Sequence, residues 1–187
     1  MTDDYNRAKK LTSMDMSSNL AIHWANGVYF EGTNILVKFD GTEESTEGGV
    51  LFSAHYDSVS TAPGATDDGM GVATVLQLVK FFAEHRVKRT AIFNINNGEE
   101  DWLNGAHAFL KHPWSELADI FLNLEGAAAG GRPILFRATS TSPVRSFHNT
   151  KLVPHLHANV LSSDAFSRGT FRCTPGPVRM LGWRVLI

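Results

Sequence analysis

Residues 49–71 read GVLFSAHYDSVSTAPGATDDGMG, and this stretch decides the fold. Val50-Leu-Phe-Ser-Ala54 is an apolar run of strand length that ends in His55-Tyr56-Asp57. A Pro/Gly loop follows, then Asp67-Asp68 and a glycine-flanked helix start. From there Met70, Val72, Val75, Leu76, Val79 and Phe82 recur at helical spacing as far as Glu84-His85. A histidine and several carboxylates thus gather where a buried strand gives way to a loop. Imidazole and carboxylate are the ligands zinc takes when no thiolates are offered.

Downstream, Arg89–Ile95 is a second apolar run, and Leu103–Leu110 fits a short helix stopped by His112-Pro113. Asp119–Leu124 is a third strand, Ala127–Gly131 a small-residue loop and Pro133–Arg137 a fourth strand. Ser142–His155 reads as helical, framed by Pro143 and Pro154. Upstream, Gly27–Phe30 and Asn34–Phe39 read as two strands around a turn at Glu31-Gly-Thr, and acidic Asp40–Gly49 as a solvated hairpin loop. Met1–Ser18 is polar without a sustained period, a helical or loose lead-in.

Strands alternating with helices predict an α/β fold, a mostly parallel central sheet with helices on both faces. Function in such sheets collects at the carboxyl ends of the strands. The first buried strand runs into His55 and Asp57, the second into Glu99 and Glu100, the third into Glu125. Three strands each deliver a ligand-type residue to one rim.

The 187 residues suffice for one domain with a core, and 43% apolar with 19% charged residues is the composition of a soluble globular protein. A net charge of -2 gives no electrostatic reason to expect nucleic acid or an anionic membrane. The single cysteine, Cys173, excludes an internal disulfide. Met1–Tyr5 has neither the basic nor the apolar region of a signal peptide, and no apolar stretch approaches the roughly 18 residues of a spanning helix.

Each site residue has a plainer reading. A lone strand-end histidine usually bonds a carbonyl; Asp57, two residues on, would share its face of a continuing strand. An Asp before a helix usually caps it, which leaves a second adjacent acid unexplained. Glu99-Glu100 could be a solvated helix start, or a pair in which one acid binds metal while the other takes a proton. Glu125 could be a buried acid with a backbone partner. No Gly-x-Ser-x-Gly turn, His-Glu-x-x-His helix or phosphate loop is present. The remaining histidines keep no fixed spacing to these acids and read as surface or structural.

His55-Tyr-Asp57, Pro63–Gly71, Gly98-Glu-Glu100 and Asn123-Leu-Glu-Gly126 together resemble the co-catalytic zinc aminopeptidases. Tyr29–Val37 and Asn123–Gly131 are most similar to the fungal vacuolar membrane protease branch and its endoplasmic-reticulum relatives. The resemblance implies a zinc-dependent peptide hydrolase with a peptide substrate, on the lumenal side of the vacuolar membrane. His55 and Glu125 would hold one zinc, Glu100 the other, and Asp67 would bridge them. Asp57 would orient His55, and Glu99 would be the general base and later the acid. A cis Asp67–Asp68 peptide is also implied.

It divides the chain into a lead-in at 1–26, a partial catalytic domain at 27–169 and an atypical tail at 170–187. The family's fifth ligand is a late histidine, whereas none follows His157 here. The tail has no acid and three arginines, and it reads as a truncated or frameshifted end that would leave a sheet edge exposed. One complete zinc site is therefore expected, with the fold incomplete at its C-terminal end and activity reduced or absent. The alternatives are an inactive remnant serving as a binding module or without function, and a glutaminyl cyclase-like acyltransferase. The Glu99-Glu100 pair favours hydrolysis over the latter.

Overall fold

The computed structural model describes residues 7–15, 28–42, 48–85, 87–126, 133–148, 157–158, 168 and 184–186. In chain order the central elements are β1 (Arg7–Asp15), β2 (Val28–Phe39), β3 (Gly49–His55), an irregular turn at Ala65–Gly69, α1 (Met70–Glu84), β4 (Ala91–Asn96), α2 (Asn104–Leu110), a 3-10 turn (Pro113–Leu117) and β5 (Ala118–Asn123). They are followed by β6 (Ile134–Leu135), α3 (Thr141–Phe147), β7 (His157–Ala158) and β8 (Arg184–Leu186).

One sheet runs in the order β1-β2-β4-β3-β5-β8. β4, β3, β5 and β8 are mutually parallel, and β1 and β2 add an antiparallel edge. This is the expected α/β architecture, parallel where the ligand-bearing strands lie. Alternation along the strands splits the core in two. Val37, Phe52, Ala54, Phe93 and Ile95 face α1, whose Val72, Val75, Val79 and Phe82 pack onto them. Leu36, Leu51 and Ile92 face the other way, against Phe109 of α2 and Trp114. Both faces are covered, so all six residues of β4 are buried. At the centre Phe93 stacks on Phe52, with ring centroids 4.9 Å apart, and meets Phe39 and Phe82 edge-on.

Several expectations give way. The lead-in contains a strand: β1 pairs along its whole length with β2, from Arg7↔Leu36 to Asp15↔Val28. A polar segment can form an edge strand because the ladder hydrogen bonds are made by the main chain, whatever the side chains. Glu31-Gly-Thr is not a turn, because β2 is one strand of 12 residues with Gly32 opposite Leu11. Nor does a hairpin join β2 to β3, which lie on opposite sides of β4. The described ends of that connection cross the start of β4, where Thr42 N–H donates to Val87 O (2.9 Å) and Arg89 Nε to Gly48 O (2.8 Å).

Met70 and Leu76 match the helical period yet stay exposed. The fourth strand lies outside the central sheet, since β6 pairs with β7. The helix expected at 142–155 is described only as α3, and Ala127–Gly131 falls outside the described residues. The tail supplies β8, which runs parallel to β5 from Ile120↔Arg184 to Leu122↔Leu186. Three residues of the edge expected to stay open are thereby paired, because extended chain of any composition can satisfy a free row of N–H and C=O groups.

Candidate metal centre

Parallel pairing sets the site. β3 lies between β4 (His55↔Asn96) and β5 (Ser53↔Asn123), so the three strands end side by side and the residues that follow them share one rim. Asn96 braces the end of β3, its Nδ2 donating to Ser53 Oγ and to Ala54 O at 3.1 Å each. Leu124 N–H donates to Ser53 O (2.9 Å), which fixes the start of the Glu125 loop.

His55 is the centre, with a side chain only 2% exposed. Its Nε2 is 3.1 Å from Asp67 Oδ1, 3.1 Å from Glu125 Oε1 and 4.0 Å from Glu99 Oε2. Its Nδ1 lies 3.0 Å from the main-chain carbonyl of Asp57, and the Asp57 carboxylate is farther at 3.5 Å. Donation from Nδ1 to that carbonyl leaves Nε2 directed at the acids, the tautomer a ligating imidazole needs. The Asp57 carboxylate instead accepts the Glu100 N–H at 3.1 Å, joining the β3 and β4 ends. Glu100 in turn accepts the Val59 N–H at 3.1 Å. All six residues expected at the site therefore meet there, and the Asp67–Asp68 peptide is cis.

Asp68 was missed as a contributor. It is buried, accepts the His55 N–H at 3.0 Å, and leaves Oδ1 without a hydrogen-bond partner among the described residues. Ligand atoms of His55, Asp68 and Glu125 lie within 4.8 Å of one another, as do those of His55, Glu99 and Glu100. The doublet itself was the signal, together with Gly71, where a Cβ would overlap the Asp68 carboxylate. Gly126 is likewise confined, because a Cβ would press into the main chain of Thr66 and Asp67.

The electrostatics are those of an acid cluster that favours a cation. Burial pushes Glu99 up to about 7, with the Glu125 charge adding to it. Burial also pushes Asp68 up to about 7, against the His55 N–H. Asp67 is raised by burial and by Glu125. Burial pulls His55 down, but its bond to Glu125 and the charges of Glu125, Glu99 and Asp68 outweigh this and hold it at about 10. Burial raises Glu125, and the His55 bond and charge outweigh it, so Glu125 ends lowered. Crowded carboxylates that raise one another around one imidazole, with a buried oxygen of Asp57 and one of Asp68 lacking hydrogen-bond partners among the described residues, fit a divalent ion.

Comparison with known proteins shows the family. Residues 34–174 match the model of peptidase family M28. The chain is 74% identical over 163 residues to the vacuolar membrane protease of Laccaria bicolor, covering 86% of this chain and 16% of that protein. It is 74% identical over 147 residues to that of Schizophyllum commune, covering 79% and 16%. The chain thus spans about one sixth of the length of these relatives. Among solved structures it is similar in fold to an aminopeptidase from Aneurinibacillus sp. strain AM-1, with a TM-score of 0.61 at 19% identity over 87% of this chain and 40% of that one. It is similar also to an Acidobacteriales bacterium glutaminyl cyclase, with a TM-score of 0.58 at 16% identity over 88% and 61%.

Proposed function

This chain belongs to peptidase family M28, and on that premise we propose that it is the metal-binding core of a zinc-dependent peptide hydrolase of aminopeptidase type. One observation carries the reading: a single buried imidazole nitrogen lies 3.1 Å from two carboxylates that come from different loops, with a third acid of raised pKa at 4.0 Å.

His55, Asp67 and Glu125 would hold one zinc, and Asp67 with Glu100 would offer a second position that lacks a histidine. Bound zinc would supply Lewis acidity, polarising the scissile carbonyl and acidifying water. The proton work falls to Glu99. A carboxyl near pH 7 can accept a proton from the attacking water and return it to the leaving amine. Asp57 fixes His55 through its carbonyl and the Glu100 backbone through its carboxylate. Asp68 anchors the His55 main chain.

By likeness to the relatives named vacuolar membrane protease, this chain would act on peptides at the vacuolar membrane. No helix among the described residues is long and apolar enough to cross a membrane. A second reading is a peptidase fold retained without turnover; among the described residues the acids are grouped around a single imidazole, that of His55.

Two measurements test the proposal. Zinc analysis after dialysis should give one tightly held ion per chain, lost in His55→Ala. Hydrolysis of aminoacyl chromogenic substrates, abolished by chelator, would favour the enzyme over the inactive fold. A chain that retains no zinc would overturn both the metal assignment and the hydrolase.

A further inference from the structure

The loop 97–104 carries Glu99 and Glu100, and its backbone is unusual. Gly98 (φ 73), Trp102 (φ 78) and Leu103 (φ 57) all lie in the left-handed region. Glycine adopts it freely; tryptophan and leucine do so only where their surroundings over-determine the backbone. Leu103 N–H donates to Glu99 O (2.9 Å) and Asn104 N–H to Gly98 O (2.8 Å), which curls the loop but ties it to nothing outside itself.

Glu100 is tied to Asp57 and Val59 in mid-loop; the tie at the two ends is Asn34, which is 1% exposed and stands one residue beyond the Ile35↔Ile95 pairing of β2 with β4. Its Nδ2 donates to Gly105 O at 2.7 Å, and its Oδ1 accepts the Asn97 N–H at 3.2 Å. One buried amide therefore grips both ends of the loop, across 71 and 63 residues of chain. Gly105 permits this approach, since a Cβ there would overlap Asn97 O and lie 2.7 Å from Asn34 Oδ1. The neighbouring Thr33 carbonyl accepts the Tyr56 hydroxyl at 2.7 Å, so this part of β2 also touches the His55 side of the rim.

We infer that Asn34 is a positioning residue, a buckle that closes the 97–104 loop and thereby sets where Glu99 and Glu100 stand. The inference rests on the hydrolase reading only for the roles of those two acids; the buckle is a matter of geometry. Carboxamide chemistry is required because the fork needs a donor on one arm and an acceptor on the other. Asn34→Asp keeps the acceptor toward Asn97 and loses the donor toward Gly105. Asn34→Ala loses both.

Amide exchange by mass spectrometry on the metal-free chain reads the buckle directly. In Asn34→Ala, protection of the Asn97, Leu103 and Asn104 amides should fall by about tenfold or more, the scale of two hydrogen bonds, while α1 keeps its protection. Asn34→Asp should fall between the two and serves if Asn34→Ala does not fold. Val75→Ala, a cavity on the far face under α1, should loosen α1 and leave the loop unmoved. In the zinc-loaded chain, Asn34→Ala should weaken the ion that depends on Glu100 by about tenfold and spare the one held by His55 and Glu125. Any turnover should lose kcat rather than gain KM. Loop protection unchanged in a folded Asn34 variant, or lost equally in Val75→Ala, would overturn the inference. A parent chain that binds no zinc would sink the hydrolase reading instead, with the exchange result still deciding the buckle.

Discussion

Nε2 of His55 stands 3.1 Å from Oε1 of Glu125, although 70 residues separate them in the chain. The contact follows from the side-by-side ends of β3 and β5. It also makes the metal-free imidazole an unusually firm holder of its proton, at about 10.

Glu125→Ala removes both the bond and the nearest charge. The His55 pKa should fall from about 10 toward its ordinary range, as read by NMR titration of the metal-free chain. Zinc affinity in a chelator competition should drop by more than about 100-fold, beyond the 10–100-fold typical of losing an outer-sphere partner. A variant that binds zinc like the parent would remove Glu125 from the ligand set.

The metal-free fold should lose stability as pH rises. His55 is raised from 6.5 to about 10, so its stabilisation is complete below 6.5 and is lost as pH climbs toward 10. Glu99 and Asp68 are raised from 4.5 and 3.8 to about 7, so the folded chain keeps their protons longer than the unfolded one does. Their contribution therefore declines from about pH 4 to 7 and stays flat above. The two windows follow one another, Glu99 and Asp68 up to about pH 7 and His55 from 6.5 toward about 10, and both lower stability as pH rises. Thermal melts in chelator should fall from pH 5 through 9, and excess zinc should flatten or reverse the trend. Melting temperatures that climb with pH in chelator would contradict these assignments.

Glu99→Gln keeps the size of the side chain and removes its proton chemistry. Turnover should drop by about 10²–10⁴-fold with zinc stoichiometry intact, because His55, Asp67 and Glu125 are untouched. Stopped-assay kinetics paired with metal analysis of the same sample check this. Near-normal turnover would move the base elsewhere.

Phe93→Ala should cost about 3–5 kcal/mol. The ring is fully buried and meets Phe39, Phe52 and Phe82, so no neighbour can fill the space. Urea unfolding with an unchanged m-value would measure it. A loss under about 1 kcal/mol would mean that the core collapses around the gap.

The central elements were legible because burial on both faces writes itself locally. β3, β4 and β5 are apolar runs, and α1 is a helical stripe that packs across β2, β3 and β4. His55, Glu99, Glu100 and Glu125 were legible as residues that follow such runs. β1 was not, because a polar segment becomes a strand only when the edge of β2 supplies its hydrogen bonds. Nothing in Asp40–Gly49 states on which side of β4 the chain will return, so a crossover reads like a hairpin. Which acid of the Asp67–Asp68 doublet turns inward depends on the non-helical dihedrals at both residues, and those are set by the packing of Gly71 and Gly126 around them. Asn34 gave only one cue, an amide at the head of an apolar stretch. Its partners lie 63 and 71 residues away.

The two sides of the centre differ in their access to solvent: the His55 side chain is 2% exposed, that of Glu125 25% and that of Asp67 47%. A cation held there would lie behind the Asp67 carboxylate as seen from solvent, with the His55 imidazole innermost. A chelator would then meet the aspartate first, and the rate of metal loss would be more sensitive to the outermost acid than to the innermost nitrogen.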